Sequence, residues 1–447
     1  MNKVRTKLKI LGPRLKFTFE NLSVHGPNFL VRKDVHFIYR FIYFLIYVNV
    51  WIAAVASIYK YILSYQEDKI RFTTRTNYLD WNTTFPSITI CETPNINKIL
   101  DTVQKMNVEN APNMVVLATD IAYFNGECQS CKYDLDFQGI SIDFVDITNI
   151  FHSECKDLFI SCIWDDKPIN CCQHFNSIQT EFGRCFSMNN KQIEVKSPMS
   201  YIASSNQRKL GTLQLELSAN SEAFLHSQED VPYWNIEYDR RLSIPFGSSG
   251  SIHFSIVDVN NDPDVSFTPP EVRKCRFPNE LPENFLGYKH YSYSTCIINC
   301  RIEAQLEICN CTSHLAPIEF KPRYCDLDGL KCLTKYYGIL KKLKVPGFNE
   351  TGLNCDCLSS CVEPDYNIVA RKISESENEL KASSVKFILS NQPYEIVTRQ
   401  VARTTLDLVV AMGNCFGLGF GGSLLSIAEV FYYICFKQWK YIRETNE

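Results

Sequence analysis

Charge of one sign, internal repeats and low-complexity tracts are all scarce in this chain. Forty-six Lys and Arg stand against 49 Asp and Glu, for a formal net charge of −3. That balance excludes a strongly basic nucleic-acid binder as a whole-chain reading, so no nucleic-acid partner is expected. No Ser-His-Asp order, paired metal ligands or phosphate-binding loop stands out, which argues against an enzyme. The eight histidines, at positions 25, 36, 152, 174, 226, 253, 290 and 314, are scattered and read as ordinary polar or core residues. Disorder is excluded as well, because 29 Phe, 23 Tyr and 5 Trp can supply a large core. The chain is rich in cysteine, with 20 in 447 residues. A reducing cytosol rarely holds so many, so most of the chain is expected to fold in an oxidising compartment.

Two apolar segments stand out from the averages. Phe41–Tyr59 carries no charge and is bracketed by Arg40 and Lys60. As a helix it spans about 28 Å, enough to cross a bilayer. Leu408–Phe436 holds one charge, Glu429, with Lys437 and Lys440 directly after it. The first segment starts too far into the chain, and lacks the cleavage site, for a removable signal peptide. Lys3, Arg5, Lys7, Lys9, Arg14, Lys16, Arg32 and Lys33 precede it against two acids, which places the N-terminus in the cytosol. Two spans return the C-terminus to the cytosol. The expected order is a cytosolic segment (1–40), a first transmembrane helix (41–62), an extracellular cysteine-rich domain (63–404), a second transmembrane helix (405–436) and a cytosolic tail (437–447).

Eighteen cysteines fall in the outside stretch, enough for nine disulfides, and Cys415 and Cys435 fall in the second span. The sequons at Asn82, Asn310 and Asn349 also lie outside and are candidate glycosylation sites, whereas the one at Asn21 is cytosolic and expected to be unused. Alternating runs at 85–90, 213–217 and 251–257 read as strands, and 95–107 and 294–308 as helices. The expected fold is a membrane protein with two transmembrane helices and a large disulfide-rich α+β ectodomain. Cys296 and Cys300 share a helix face, and Cys355 and Cys357 would share a strand face, so a helix laid along that strand could be stapled at successive rungs. Zinc on Cys128-x2-Cys131 or on this ladder is the rival reading. It lacks a second CxxC at ribbon spacing, so no metal is expected.

The second span contains Gly413, Gly417 and Gly421 at every fourth residue, then Gly422, Ser423 and Ser426. A small face of this kind can simply let helices pack closely in lipid. Consecutive Gly421-Gly422-Ser423 also weakens the helix at mid-membrane, where non-helical backbone is tolerated only if buried or lining water. Carbonyls and a serine hydroxyl there are plausible ligands for a hard cation, with Ser423 and Gly421 presented together from an extended tripeptide. Glu429 is an intramembrane acid and a functional candidate, or else an outward residue solvated near the inner interface.

These motifs resemble the degenerin/epithelial sodium channel family, most closely its insect pickpocket branch. His25-Gly26 resembles the family's cytosolic HG gating motif, Phe85 to Cys91 its FPxxTxC strand, and Gly183 to Asn189 its GxCFxFN motif. Gly417 to Glu429 resembles the pore segment, with Gly421-Gly422-Ser423 on the G-x-S selectivity filter. The resemblance implies a trimer, homomeric or built with related subunits, around a plasma-membrane cation pore. The pore is usually sodium-selective and amiloride-sensitive, with sodium as permeant ion and no cofactor. It implies the pairs Cys91–Cys185, Cys275–Cys361, Cys296–Cys357, Cys300–Cys355, Cys309–Cys332 and Cys311–Cys325, and Cys162–Cys171 with Cys172 as the alternative partner. It assigns none to Cys128, Cys131, Cys155 or whichever of Cys171 and Cys172 is left over. Gly417 falls on the position associated with amiloride contact. Val410 falls near a gating position where small residues are usual, so valine departs from the pattern. Asn414 replaces a usual glycine, and Gly419 a usual bulky residue. Three readings compete: a conducting channel, a non-conducting accessory subunit or cell-surface binding protein, and an ATP-gated channel, which would lack this ladder. No residue selects a stimulus or an extracellular ligand.

Overall fold

The computed structural model describes residues 26, 29–30, 35–67, 69–76, 82–105, 111–132, 143–194, 202–204, 211–283, 285–344, 347, 351–375, 382–391 and 395–432. His25, Asn349 and the tail 437–447 lie outside these. The chain divides into two units, Phe72–Arg399 and the two flanking arms together. The principal helices are α1 (Phe37–Glu67), α2 (Ile96–Lys105), α3 (Ala111–Ala122), α4 (Phe144–Phe151), α5 (Tyr293–Cys309), α6 (Leu327–Lys341), α7 (Thr405–Phe420) and α8 (Leu424–Phe431). The principal strands are β1 (Ile70–Arg75), β2 (Ser87–Glu92), β3 (Phe159–Trp164), β4 (Lys167–Ile169), β5 (Asn176–Thr180), β6 (Gly183–Met188), β7 (Thr212–Leu217), β8 (Ser221–His226), β9 (Arg241–Ile244), β10 (Ser248–Asn261), β11 (Asp365–Glu375), β12 (Ser383–Leu389) and β13 (Ile396–Val401).

Two sheets organise the larger unit. One runs β1-β13-β10-β12-β7-β3-β4, with β11 also paired to β10. It is mixed: β10 is parallel to β12 and β13 but antiparallel to β11. The other, β9-β8-β2-β6-β5, is wholly antiparallel. Alternation explains the first sheet. Leu213, Leu215 and Leu217 are buried while Thr212, Gln214 and Glu216 between them are half-exposed, the pattern of a strand with one covered face. β2 differs from that expectation, since every one of its residues is buried. It is the central strand of its sheet and is covered on both faces. Its polar side chains are satisfied internally: Thr89 Oγ1 donates to Ser187 Oγ at 2.7 Å and lies 2.7 Å from His226 Nε2. The main core is drawn from both sheets, with Phe85 edge-on to Trp164 at 4.7 Å and to Phe254 at 5.5 Å.

The disulfides join what the sheets leave apart. Cys91 bonds Cys185 across neighbouring strands, and Cys275 bonds Cys361. On α5, Cys296 and Cys300 lie one turn apart and bond Cys357 and Cys355 respectively. The segment carrying Cys355 and Cys357 is irregular rather than a strand, but its alternation still presents both sulfurs to one helix face. Cys309–Cys332 and Cys311–Cys325 fasten the end of α5 to the region of α6. Cys162 bonds Cys171, Cys172 bonds Cys155, and Cys128 and Cys131 bond each other. The CxxC is therefore a three-residue bridge and not a metal pair. Cys415 is free.

In the unit of the flanking arms, α1 is 31 residues long, about 46 Å of helix. It extends beyond the expected 41–62 at both ends because its flanks contain no glycine or proline to stop it. Among the described residues, it is the one helix long and apolar enough to cross a bilayer. The second apolar segment is not one continuous helix over 405–436. It comprises α7, then three non-helical residues, then α8, described to residue 432.

Candidate functional site

The start of α7 is fixed locally. Thr404 and Asp407 form a capping box: Asp407 N–H donates to Thr404 Oγ1 at 3.2 Å, and Thr404 N–H to the Asp407 carboxylate at 2.8 Å. Asp407 thus serves as a cap. Val410 follows on the helix with half its surface exposed, and Gly417 lies seven residues on, along the same face. α7 packs on α1, with Trp51 edge-on to Phe416 at 6.5 Å. A Cβ on Gly419 would come 3.3 Å from Val50 Cγ1, so the usual bulky residue would crowd this contact.

Gly421 ends α7 in the left-handed region at φ 59°, where only glycine sits without strain. Its N–H donates to Gly417 O at 2.9 Å, and Gly422 N–H donates to Phe416 O at 3.3 Å. The first is the last i→i−4 bond of the ladder, whereas the second reaches back six residues, so the carbonyls after Gly417 lose their in-helix donors. Ser423 is extended and caps α8. Its Oγ accepts from Ser426 N–H at 3.2 Å, and its own N–H donates to Ser426 Oγ at 3.2 Å. The tripeptide is therefore not an extended run presenting two residues together, as the sequence suggested. It is a left-handed turn joined to a helix cap, because one glycine conformation and one hydroxyl pair satisfy more backbone groups than a straight strand would. Ser426 was not assigned this capping role from sequence, although the S-x-x-S spacing carried the signal.

Glu429 lies half-buried on α8, and Gly26 sits buried in a turn beside the Tyr47 ring of α1. Of the sequon residues, Asn82 begins a short strand and Asn310 is exposed at the C-cap of α5. Among the described residues no cluster of His, Cys, Asp and Glu could hold a metal ion.

A charged cluster in the larger unit gave no sequence signal. Glu363 Oε1 lies 3.7 Å from Arg240 Nη1, while the same guanidinium reaches Asp365 at 3.6 Å and Glu237 at 3.0 Å. Burial, with Asp230 adding repulsion, pushes the Glu363 carboxyl up to about 8 against the pull of Arg240. A carboxyl raised in the folded state holds its proton more tightly there than when unfolded. Its contribution is thus fully present below about pH 4.5 and is lost as pH rises toward 8. Glu363→Gln should therefore melt higher than the parent at pH 8–9, with the gap closing toward pH 5. Parallel melting curves at both pH values would refute the burial of an ionisable Glu363.

Residues 18–433 match the family described as amiloride-sensitive sodium channel. Sodium channel protein Nach of Drosophila ananassae is 23% identical over 96% of this chain and 89% of that relative. Pickpocket protein 19 of Drosophila melanogaster is 23% identical over 69% of this chain and 66% of that relative. The bile acid-sensitive ion channel of Mus musculus is 23% identical over 80% of this chain and 77% of that relative. The chain therefore belongs to the amiloride-sensitive sodium channel family, as a pickpocket-like member of a family of plasma-membrane cation channels and not of enzymes.

Proposed function

We propose that the chain is a pore-forming subunit of a trimeric, sodium-selective, amiloride-sensitive channel, assembled from identical or related subunits. α1 and the α7–α8 segment each span the bilayer and leave both termini in the cytosol. The ectodomain is extracellular, with Asn82, Asn310 and Asn349 as its glycan acceptors. His25-Gly26 and Val410 belong to the gate, Gly417 contacts amiloride, and Gly421, Gly422 and Ser423 of three subunits form the selectivity filter. Glu429 lies on the cytosolic side of that filter.

The observation that carries this reading is the break at Gly421-Gly422-Ser423. A helix in hydrocarbon satisfies its own backbone, and an interruption there costs free energy unless it lines water or is buried in protein. Sodium needs oxygen ligands to replace its hydration shell, and a broken helix end supplies them from carbonyls. Whole-cell recording tests the assignment. Gly421→Ala puts a Cβ on a left-handed residue at a cost of about 1–2 kcal/mol, and Ser423→Cys weakens the cap of α8. Both substitutions are expected to move the reversal potential between sodium and potassium. Unchanged selectivity in both, in a conducting assembly, would leave the filter elsewhere.

A further inference from the structure

Asn310 is held between two half-cystines. Cys309 before it bonds Cys332, and Cys311 after it bonds Cys325. Asn310 itself is exposed, in the left-handed C-cap of α5, with its N–H on Leu306 O at 3.0 Å. The hydroxyl residue of its sequon, Thr312, is instead fully buried. Thr312 Oγ1 donates to Gln305 Oε1 at 2.6 Å, and Gln305 is itself buried. The Thr312 N–H donates to Arg323 O at 2.9 Å, and its carbonyl accepts from Cys325 N–H at 2.9 Å. The folded site thus exposes the acceptor amide but locks away the residue that makes it a sequon.

We infer that Asn310 can receive a glycan only before Cys311–Cys325 and Cys309–Cys332 close, so that glycan transfer and disulfide formation compete at this one place. The inference rests on the extracellular placement of the ectodomain proposed above. In transfer, the sugar C1 bonds Asn310 Nδ2, its bond to a lipid-linked diphosphate breaks, and the amide gives up a proton. In closure, two thiols yield two electrons and two protons to a protein disulfide of the folding machinery, which is reduced to a dithiol. Once closed, the segment cannot swing out as a flexible acceptor without breaking two covalent crosslinks and the buried Thr312 bonds. Each disulfide also restrains the chain on its own. A molecule that oxidises first is then permanently unmodified at Asn310 yet correctly folded.

The test is glycopeptide mass spectrometry of the total cellular pool, which scores misfolded molecules too. Full-length protein is synthesised with and without a dithiothreitol pulse, alongside the Cys325→Ser/Cys332→Ser double variant. Occupancy at Asn310 is expected to be partial in untreated cells and to rise severalfold in both other arms, while occupancy at Asn82 stays constant. Asn310 occupancy that responds to neither manipulation, with glycan present at Asn82 or Asn349, overturns the competition. Absence of glycan from all three sequons in every arm overturns the extracellular placement itself, and the inference with it.

Discussion

Arg301→Ala is expected to destabilise the ectodomain by about 3–5 kcal/mol, the cost of leaving a buried partner charge uncompensated. Arg301 projects from α5 and is 1% exposed. Its guanidinium donates to the Glu181 carboxylate in the β5–β6 turn and to the Asn235 side chain, and Nε donates to Leu340 O at 2.8 Å near the end of α6. It also stacks over Trp234 at 4.9 Å. Four chain segments therefore meet on one cation. Removing it leaves the buried Glu181 carboxylate with the Trp234 N–H, at 2.8 Å, but no counter-charge. Thermal unfolding of the detergent-purified protein reads the loss. Arg301→Met/Glu181→Gln should recover much of it, because that pair removes both charges together. A single alanine variant that melts with the parent would show that the ion pair carries little of the fold.

Phe85→Ala should cost a similar amount, about 3–5 kcal/mol, for a different reason. Phe85 is completely buried where the two sheets meet, between Trp164 and Phe254 of one sheet and the start of the central strand of the other. Truncation opens a cavity bounded by rigid aromatic rings that cannot collapse into it. Phe85→Leu should lose far less. Comparing the melting temperatures of the two variants separates cavity formation from a specific aromatic role. Equal losses would point to ring geometry rather than volume.

Phe85 shows what the sequence disclosed well. Its run reads as a strand over 85–90, and the strand forms two residues later, at Ser87–Glu92, buried throughout, whereas the strands at 213–217 and 251–257 declare themselves by alternation. The fracture of the second apolar segment was legible from two adjacent glycines in a run otherwise suited to a helix. Arg301 and Glu181 were not legible. They lie 120 residues apart, and neither breaks a local pattern. Glu363 was hidden for the same reason, since its raised affinity for a proton arises from what folds around it. The partners of Cys128 and Cys155 depended on which thiols the fold brings within bonding reach, a property that spacing alone does not encode. Ser423 was legible as polar at depth, but its engagement with Ser426 depended on the turn angle chosen by Gly421.

That turn has an electrical consequence. A continuous helix carries one macrodipole along its whole length, but the interruption at Gly421 divides it into two in series. The partial negative charge at the end of α7 and the partial positive charge at the start of α8 face each other across three residues. The field there is steep and local rather than spread along one helix. If, as proposed, this segment lines the pore, a permeating cation would be attracted by the carbonyl end and repelled by the amide end one step later, which favours brief occupancy over tight capture. Substitutions that restore helicity at Gly421 would fuse the two dipoles and erase this step in potential without adding or removing a single formal charge.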